Sequence, residues 1–170
     1  MNTVRRTAFI GSSGCPAEHP GTTGYIQPNR GLVVLKGFFE GQEQPDKTSQ
    51  PFFIYPADGH LLTLGCVYSD WYNAELGATV RTFSIITTDA NKRMAEIHNK
   101  KKRMPLVILP GQRAQWLADM DRAGIEAMMK PLPDGYLADH KVSRDLYKTK
   151  VKTNIPEILL PIADVPTALF

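Results

Sequence analysis

A mixed α+β fold, rich in strands and carrying only short helices, is what this sequence predicts. Two observations carry the prediction. Successive short runs of β-branched and aromatic residues are bounded by Gly, Pro and Asp, and only three stretches show the 3.6-residue spacing of a helix. At roughly 100–200 residues per domain, residues 1–170 read as a single domain with a sizeable core.

Residues 1–30 read as loop. They hold Gly11, Gly14, Pro16, Pro20, Gly21 and Gly24 and sustain a period of neither 2 nor 3.6. From Gly31 the pattern changes. Leu32-Val33-Val34-Leu35 is a strand, Gly37-Phe38-Phe39 runs into Glu40, and Pro51 to Tyr55 and Leu61 to Tyr68 follow as further strands. Gly41 to Gln50 reads as a polar connection. The turn Ala57-Asp58-Gly59-His60 predicts a hairpin between the two strands that flank it. Thr82 to Thr87 is the next strand, after which Thr88 or Asp89 offers a side-chain oxygen to cap a helix over Ala90 to His98. Met94, Ile97 and His98 share one face of that helix. Pro105 to Leu109 is a short strand stopped at Pro110. Gln112 to Asp121 and Gly124 to Lys130 are helical, with Trp116, Leu117 and Met120 at core spacing. Val142-Ser143 and Glu157 to Ile162 read as closing strands, and no internal repeat is present.

Composition excludes several classes. Hydrophobic residues make up 42% and charged residues 22%, as in globular proteins generally, so disordered and fibrous chains drop out. No apolar run approaches the roughly 20 residues needed to cross a bilayer, and no apolar stretch follows Arg5 and Arg6 as in a secretory signal. The expectation is a cytoplasmic protein with no membrane partner. Net charge is only +3, yet Lys92 to Arg103 carries +5, Lys141 to Lys152 carries +4, and the rest of the chain carries −6. Positive charge gathered in two segments suits a polyanion, while solvated lysine-rich loops remain the plainer reading.

Few residues have the chemistry of a site. Glu40 ends a hydrophobic run beside two aromatics, where a carboxylate suits general acid–base work; a strand-end acid pointing into solvent is the alternative. His98 ends a helix next to the basic run Lys100 to Lys102, as a proton-transfer group or simply as a helix C-cap. His19, His60 and His140 fall in loops or turns with no metal-ligand spacing, so no metal site is expected. Cys66 reads as a small buried hydrophobe, and Cys15 near His19 is a weak nucleophile pair. There is no Gly-x-Gly-x-x-Gly and no phosphate-binding loop, so no cofactor is implied.

Taken together, several dispersed strings resemble one family. Gly37-Phe38-Phe39-Glu40, Gln50 to Tyr55, Ile86-Thr87-Thr88-Asp89-Ala90-Asn91, Ile97-His98-Asn99 and Arg103-Met104-Pro105 resemble, in order and spacing, the SOS-response-associated peptidase (SRAP) family. The closing segment, with Val142-Ser143, Asn154, Pro156-Glu157-Ile158 and Leu160-Pro161-Ile162, is similar too, so the likeness covers residues 31–162. The resemblance implies an α+β domain whose mixed sheet includes a small barrel flanked by short helices. It also implies abasic-site processing in single-stranded DNA, in the DNA-damage response and near the nucleoid. In that chemistry the α-amine of an N-terminal cysteine attacks the ring-opened sugar aldehyde, and its thiol closes a thiazolidine, leaving a DNA–protein crosslink. Glu40 matches the family's catalytic glutamate and His98 its histidine, which would open the sugar ring. Thr87 and Arg103 match DNA-backbone contacts, and Lys100, Lys101 and Lys102 would add phosphate neutralisation.

Departures from the family pattern shape the expectations. The chain begins Met1-Asn2-Thr3-Val4 where the family begins Met-Cys-Gly-Arg, so the resemblance implies that the N-terminal part and its nucleophile are missing. Asn2 would match the family's active-site asparagine, although Val4 and Arg6 break that segment. Gly41 stands where the family has Trp, and Lys100 to Lys102 lengthen the His-to-Arg spacing. Three readings follow: an SRAP enzyme whose nucleophile comes from a separately encoded N-terminal piece, a single-stranded-DNA-binding remnant that forms no crosslink, or a partner-dependent fragment.

Overall fold

The computed structural model describes residues 29–163. Among these residues eight strands form three antiparallel sheets. The first sheet has the order β1-β4-β5, from Arg30–Leu35, Leu62–Asn73 and Ala78–Ile85. The second has the order β2-β3-β8, from Phe38–Glu43, Ser49–Pro56 and Leu137–Lys141. The third is a short pair, β6 (Thr87–Asp89) with β7 (Arg103–Pro105). Three helices are short: α1 over Lys92–Ile97, α2 over Arg113–Leu117 and α3 over Arg122–Met128. The α+β class holds, and the small barrel that the resemblance implies is not closed among the described residues.

Sequence alternation explains how the sheets stack. Along β4, Leu62 and Leu64 point one way and meet Phe52 and Ile54 of β3, Met94 and Ile97 of α1, and Met104 of β7 in one buried cluster. Gly65 points the other way. A Cβ there would lie 3.2 Å from both Leu106 Cδ2 and Trp116 Cζ2, so the missing side chain lets a second cluster of Leu106, Ile108, Trp116 and Ile125 press against the sheet. Arg30 closes that side, its Nε donating to the Trp116 carbonyl at 2.8 Å.

Several expectations are corrected. The strands flanking Ala57–His60 do not form a hairpin: β3 pairs with β2 and β8, whereas β4 pairs with β1 and β5. Gly59, at φ 74°, turns the chain from one sheet into the other, and a Gly-containing turn between apolar runs looks alike in both cases. The polar stretch Gly41–Glu43 extends β2, pairing with Ser49 to Pro51. Its polar side chains satisfy α1 rather than a core, as where Gln42 Nε2 donates to the Glu96 carbonyl at 2.9 Å. Asn91 caps α1, its Oδ1 accepting from Met94 N–H at 2.9 Å; Thr88 is held in β6 and donates to the Met129 carbonyl at 3.1 Å.

Leu117 is exposed, because α2 ends there and its core contact is made by Trp116. His140 belongs to β8, with Tyr55 and Phe53 rings 5.5 and 5.8 Å away, not to a loop. The stretch from Glu157 is a 3-10 turn, Pro156–Leu159, and β8 stops at Lys141. Proline at its start sets a helical φ that the apolar composition hides. No described helix is long and apolar enough to cross a membrane.

Candidate active site

Glu40 lies in mid-β2, paired with Phe52. Alternation sends Phe38, Glu40 and Gln42 to the face that meets α1, while Phe39 turns outward against Phe53, with ring centroids 5.3 Å apart. The acid therefore sits on the inner face, where the buried cluster gives way to the end of α1. One carboxylate oxygen, Oε1, accepts from the Gly41 N–H at 2.9 Å. The other, Oε2, is 3.9 Å from Nδ1 of His98.

His98 is the C-cap of α1, its N–H donating to the Met94 carbonyl at 2.8 Å. A capping role and a place in a site are thus not alternatives here. Its Nδ1 is also 2.9 Å from the Arg103 carbonyl. A carbonyl can only accept, so this contact assigns a proton to Nδ1 and makes Nε2 the acceptor nitrogen of the neutral ring. The Glu40 and His98 side chains are 22% and 15% exposed, shielded yet reachable.

Two further contacts hold the acid and the imidazole in register. Arg93 of α1 grips Asp139 of β8 through two hydrogen bonds, Nε to Oδ2 at 2.8 Å and Nη2 to Oδ1 at 2.7 Å. The same guanidinium bonds Glu96 and lies 5.9 Å from the Phe52 ring centroid. Helix α1, which carries His98, is thereby clamped to the sheet that carries Glu40. After the helix, the Lys102 N–H returns to the His98 carbonyl at 2.8 Å, with Lys102 at φ 49°.

Glu40 and His98 open into a cleft of about 430 Å³ lined also by Arg103, Lys47, Lys100, Lys101 and Tyr147, among others. Arg103 is 8% exposed, and its Nε is buried with no hydrogen-bond partner among the described residues. The Nε of Arg113, which does not line the cleft, is buried without a partner among the described residues in the same way. Lys100 reaches Glu43 at 2.9 Å, while Lys101 lines the cleft and is exposed.

Not all expected residues converge. Thr87 is buried in β6 opposite Pro105 and does not line the cleft; Lys102 is exposed but likewise does not line it. Asn2, and the pair Cys15 and His19, lie outside the described residues. Cys66 is buried in β4, and burial pushes its thiol pKa up. Among the described residues no cluster of His, Cys, Asp and Glu could hold a metal ion. Sequence reading missed Tyr147 and Ser49 on the cleft wall. An aromatic interleaved in the lysine-rich stretch Lys141 to Lys152 was the available signal for Tyr147.

This geometry belongs to a known class. The model of the SOS response associated peptidase (SRAP) family matches residues 17–149, and the chain belongs to that family. It is 31% identical over 157 residues to the abasic site processing protein HMCES of Gallus gallus, covering 81% of this chain and 45% of that protein. It is 30% identical over 140 residues to the abasic site processing protein YedK of Escherichia coli (strain K12), covering 80% and 59%. A solved structure of a protein from Bacteroides thetaiotaomicron matches it with a TM-score of 0.77 at 28% identity, over 86% of this chain and 62% of that one. The chain thus spans about half the length of these curated relatives.

Proposed function

We propose that this chain processes abasic sites in single-stranded DNA, with Glu40 and His98 as its acid–base pair and Arg103 as a phosphate receptor. The observation that carries the reading is the meeting, in one cleft, of a carboxylate and an imidazole 3.9 Å apart with the guanidinium of Arg103 and the ammonium groups of Lys100 and Lys101 on its wall. Membership of a family whose relatives are named abasic site processing proteins supports it.

A ring-closed abasic sugar must open before its C1 aldehyde can react. His98, with Nδ1–H committed to the Arg103 carbonyl, exchanges the required proton at Nε2 with the ring oxygen. Donation there uses the ring with a proton on both nitrogens, and Glu40 Oε2 lies 3.9 Å from Nδ1. An amine then adds to the aldehyde, and loss of water gives a Schiff base. Glu40 takes the amine proton and returns it to the departing hydroxyl. Arg103, with Lys100 and Lys101 on the same cleft wall, balances the phosphates that flank the sugar. The amine and thiol of the family chemistry come from outside the described residues, because Cys66 is buried in β4 and, within the chain, has no α-amine.

A second reading is favoured by the basic rim of the cleft: the chain holds single-stranded DNA without forming a crosslink. One experiment separates the two. The 170-residue chain is incubated with single-stranded DNA carrying one abasic site and run on a denaturing gel beside undamaged DNA. A heat-stable shifted band on abasic DNA alone, reduced at least about a hundredfold in rate by Glu40→Gln, supports processing. Retention on a native gel with no such band supports binding only, and no interaction on either gel removes both readings.

A further inference from the structure

Two basic segments, distant in sequence, meet at the cleft. Lys92 to Arg103 supplies Lys100, Lys101 and Arg103, and Lys141 to Lys152 supplies Tyr147. Tyr147 is the one phenol ring among the described residues that line the cleft, and it is 50% exposed.

Its position is built rather than incidental. Tyr147 ends the 3-10 turn Arg144–Tyr147, whose start is capped by Ser143 Oγ accepting from the Asp145 N–H at 3.1 Å. Arg144 Nε donates to Gln50 Oε1 at 3.2 Å, which ties the turn to β3. The Tyr147 hydroxyl lies 3.3 Å from Ser49 Oγ. Beneath it, Gly41 leaves the space open: a Cβ there would lie 2.7 Å from that hydroxyl and 2.5 Å from Ser49 Oγ. Gly41 also donates its N–H to Glu40 Oε1, so the ring is seated one residue from the acid. An abasic nucleotide has no base to recognise, so a protein must hold the strand through phosphates and neighbouring bases. An anchored, half-exposed aromatic ring flanked by cations is a surface on which any base stacks, whatever its sequence.

We infer that Tyr147 is the stacking platform for a base that flanks the abasic nucleotide, presenting the bare sugar to Glu40 and His98. This rests on the reading of the cleft as a single-stranded-DNA site. It goes beyond that reading by naming the second contact point of the strand and the residue that makes it.

The test uses the full chain and single-stranded DNA containing a tetrahydrofuran abasic analogue, which cannot ring-open, with 2-aminopurine on one side of it or the other. Binding is read by anisotropy and stacking by quenching of 2-aminopurine fluorescence. In the parent, quenching is expected at one flanking position. Tyr147→Phe should keep that quenching and bind within about twofold of the parent, while Tyr147→Ala should lose it and bind roughly tenfold more weakly. Gly41→Ala, which crowds the hydroxyl, should reduce quenching. Should Tyr147→Ala lower the melting temperature, Tyr147→Leu, with apolar bulk but no π face, takes its place with the same expected loss. Parent-like quenching and affinity in Tyr147→Ala or Tyr147→Leu, while Arg103→Met binds more weakly, overturns this inference alone. A parent that does not bind the DNA overturns it together with the reading of the cleft.

Discussion

Arg93 and Arg103 stand ten positions apart in the same basic segment, and the structure puts them to opposite uses. Arg93, at the start of α1, bonds both Asp139 and Glu96, and these carboxylates push its pKa up. Arg103, at the start of β7, is more deeply buried, yet its Nε has no partner among the described residues. Charge counted along the chain treats them alike. Pairing separates them: the first clamps an element in place, and the second lies on the cleft wall with Glu40 and His98.

That contrast can be broken by substitution. Arg103→Met should weaken binding of single-stranded DNA by roughly tenfold to a hundredfold, since one buried charge-assisted phosphate contact is lost. The same change should leave the urea unfolding midpoint level or raised, because an apolar side chain of similar volume removes a buried Nε that has no partner among the described residues. A drop in stability with unchanged binding would reverse the assignment. Asp139→Ala should do the opposite, lowering stability by about 1–2 kcal/mol in urea unfolding, since Asp139 is mostly covered and Arg93 only half. Its effect on DNA affinity, measured at matched folded fraction, should be no more than about twofold. The smallest effect belongs to Lys101→Ala, with about a twofold loss of affinity and a reduction of about one in the salt slope. Among the described residues Lys101 has no carboxylate partner like the Glu43 that holds Lys100.

Much of this was legible in the residues themselves. Alternation and β-branching located Leu32–Leu35, Pro51–Tyr55 and the core part of β4, because in each the buried face sets the pattern. Glu40 stood out as an acid within an aromatic run, and His98 as a polar residue on an otherwise apolar helix face. What stayed hidden depended on partners elsewhere in the chain. Gly41–Glu43 looks like loop because its polar side chains answer to α1, not to a core. The corner at Gly59 looks like a hairpin because pairing with β2 and β8 is a tertiary choice. Tyr147 escaped notice because only the missing side chain of Gly41, about a hundred residues earlier, opens its seat.

The segment from His98 to Arg103 is closed on itself twice, once by backbone from Lys102 to the His98 carbonyl and once from the imidazole to the Arg103 carbonyl. The two reactive ends are thus joined to each other directly, and Asn99 to Lys101 form an excursion between them. Asn99 is itself bonded twice to the Glu43 backbone and Lys100 pairs with the Glu43 carboxylate, so this short loop is fastened to the edge of β2 as well as to itself. The imidazole and the Arg103 backbone are therefore held together from three sides, and a change in the loop's length would have to break at least one of these ties.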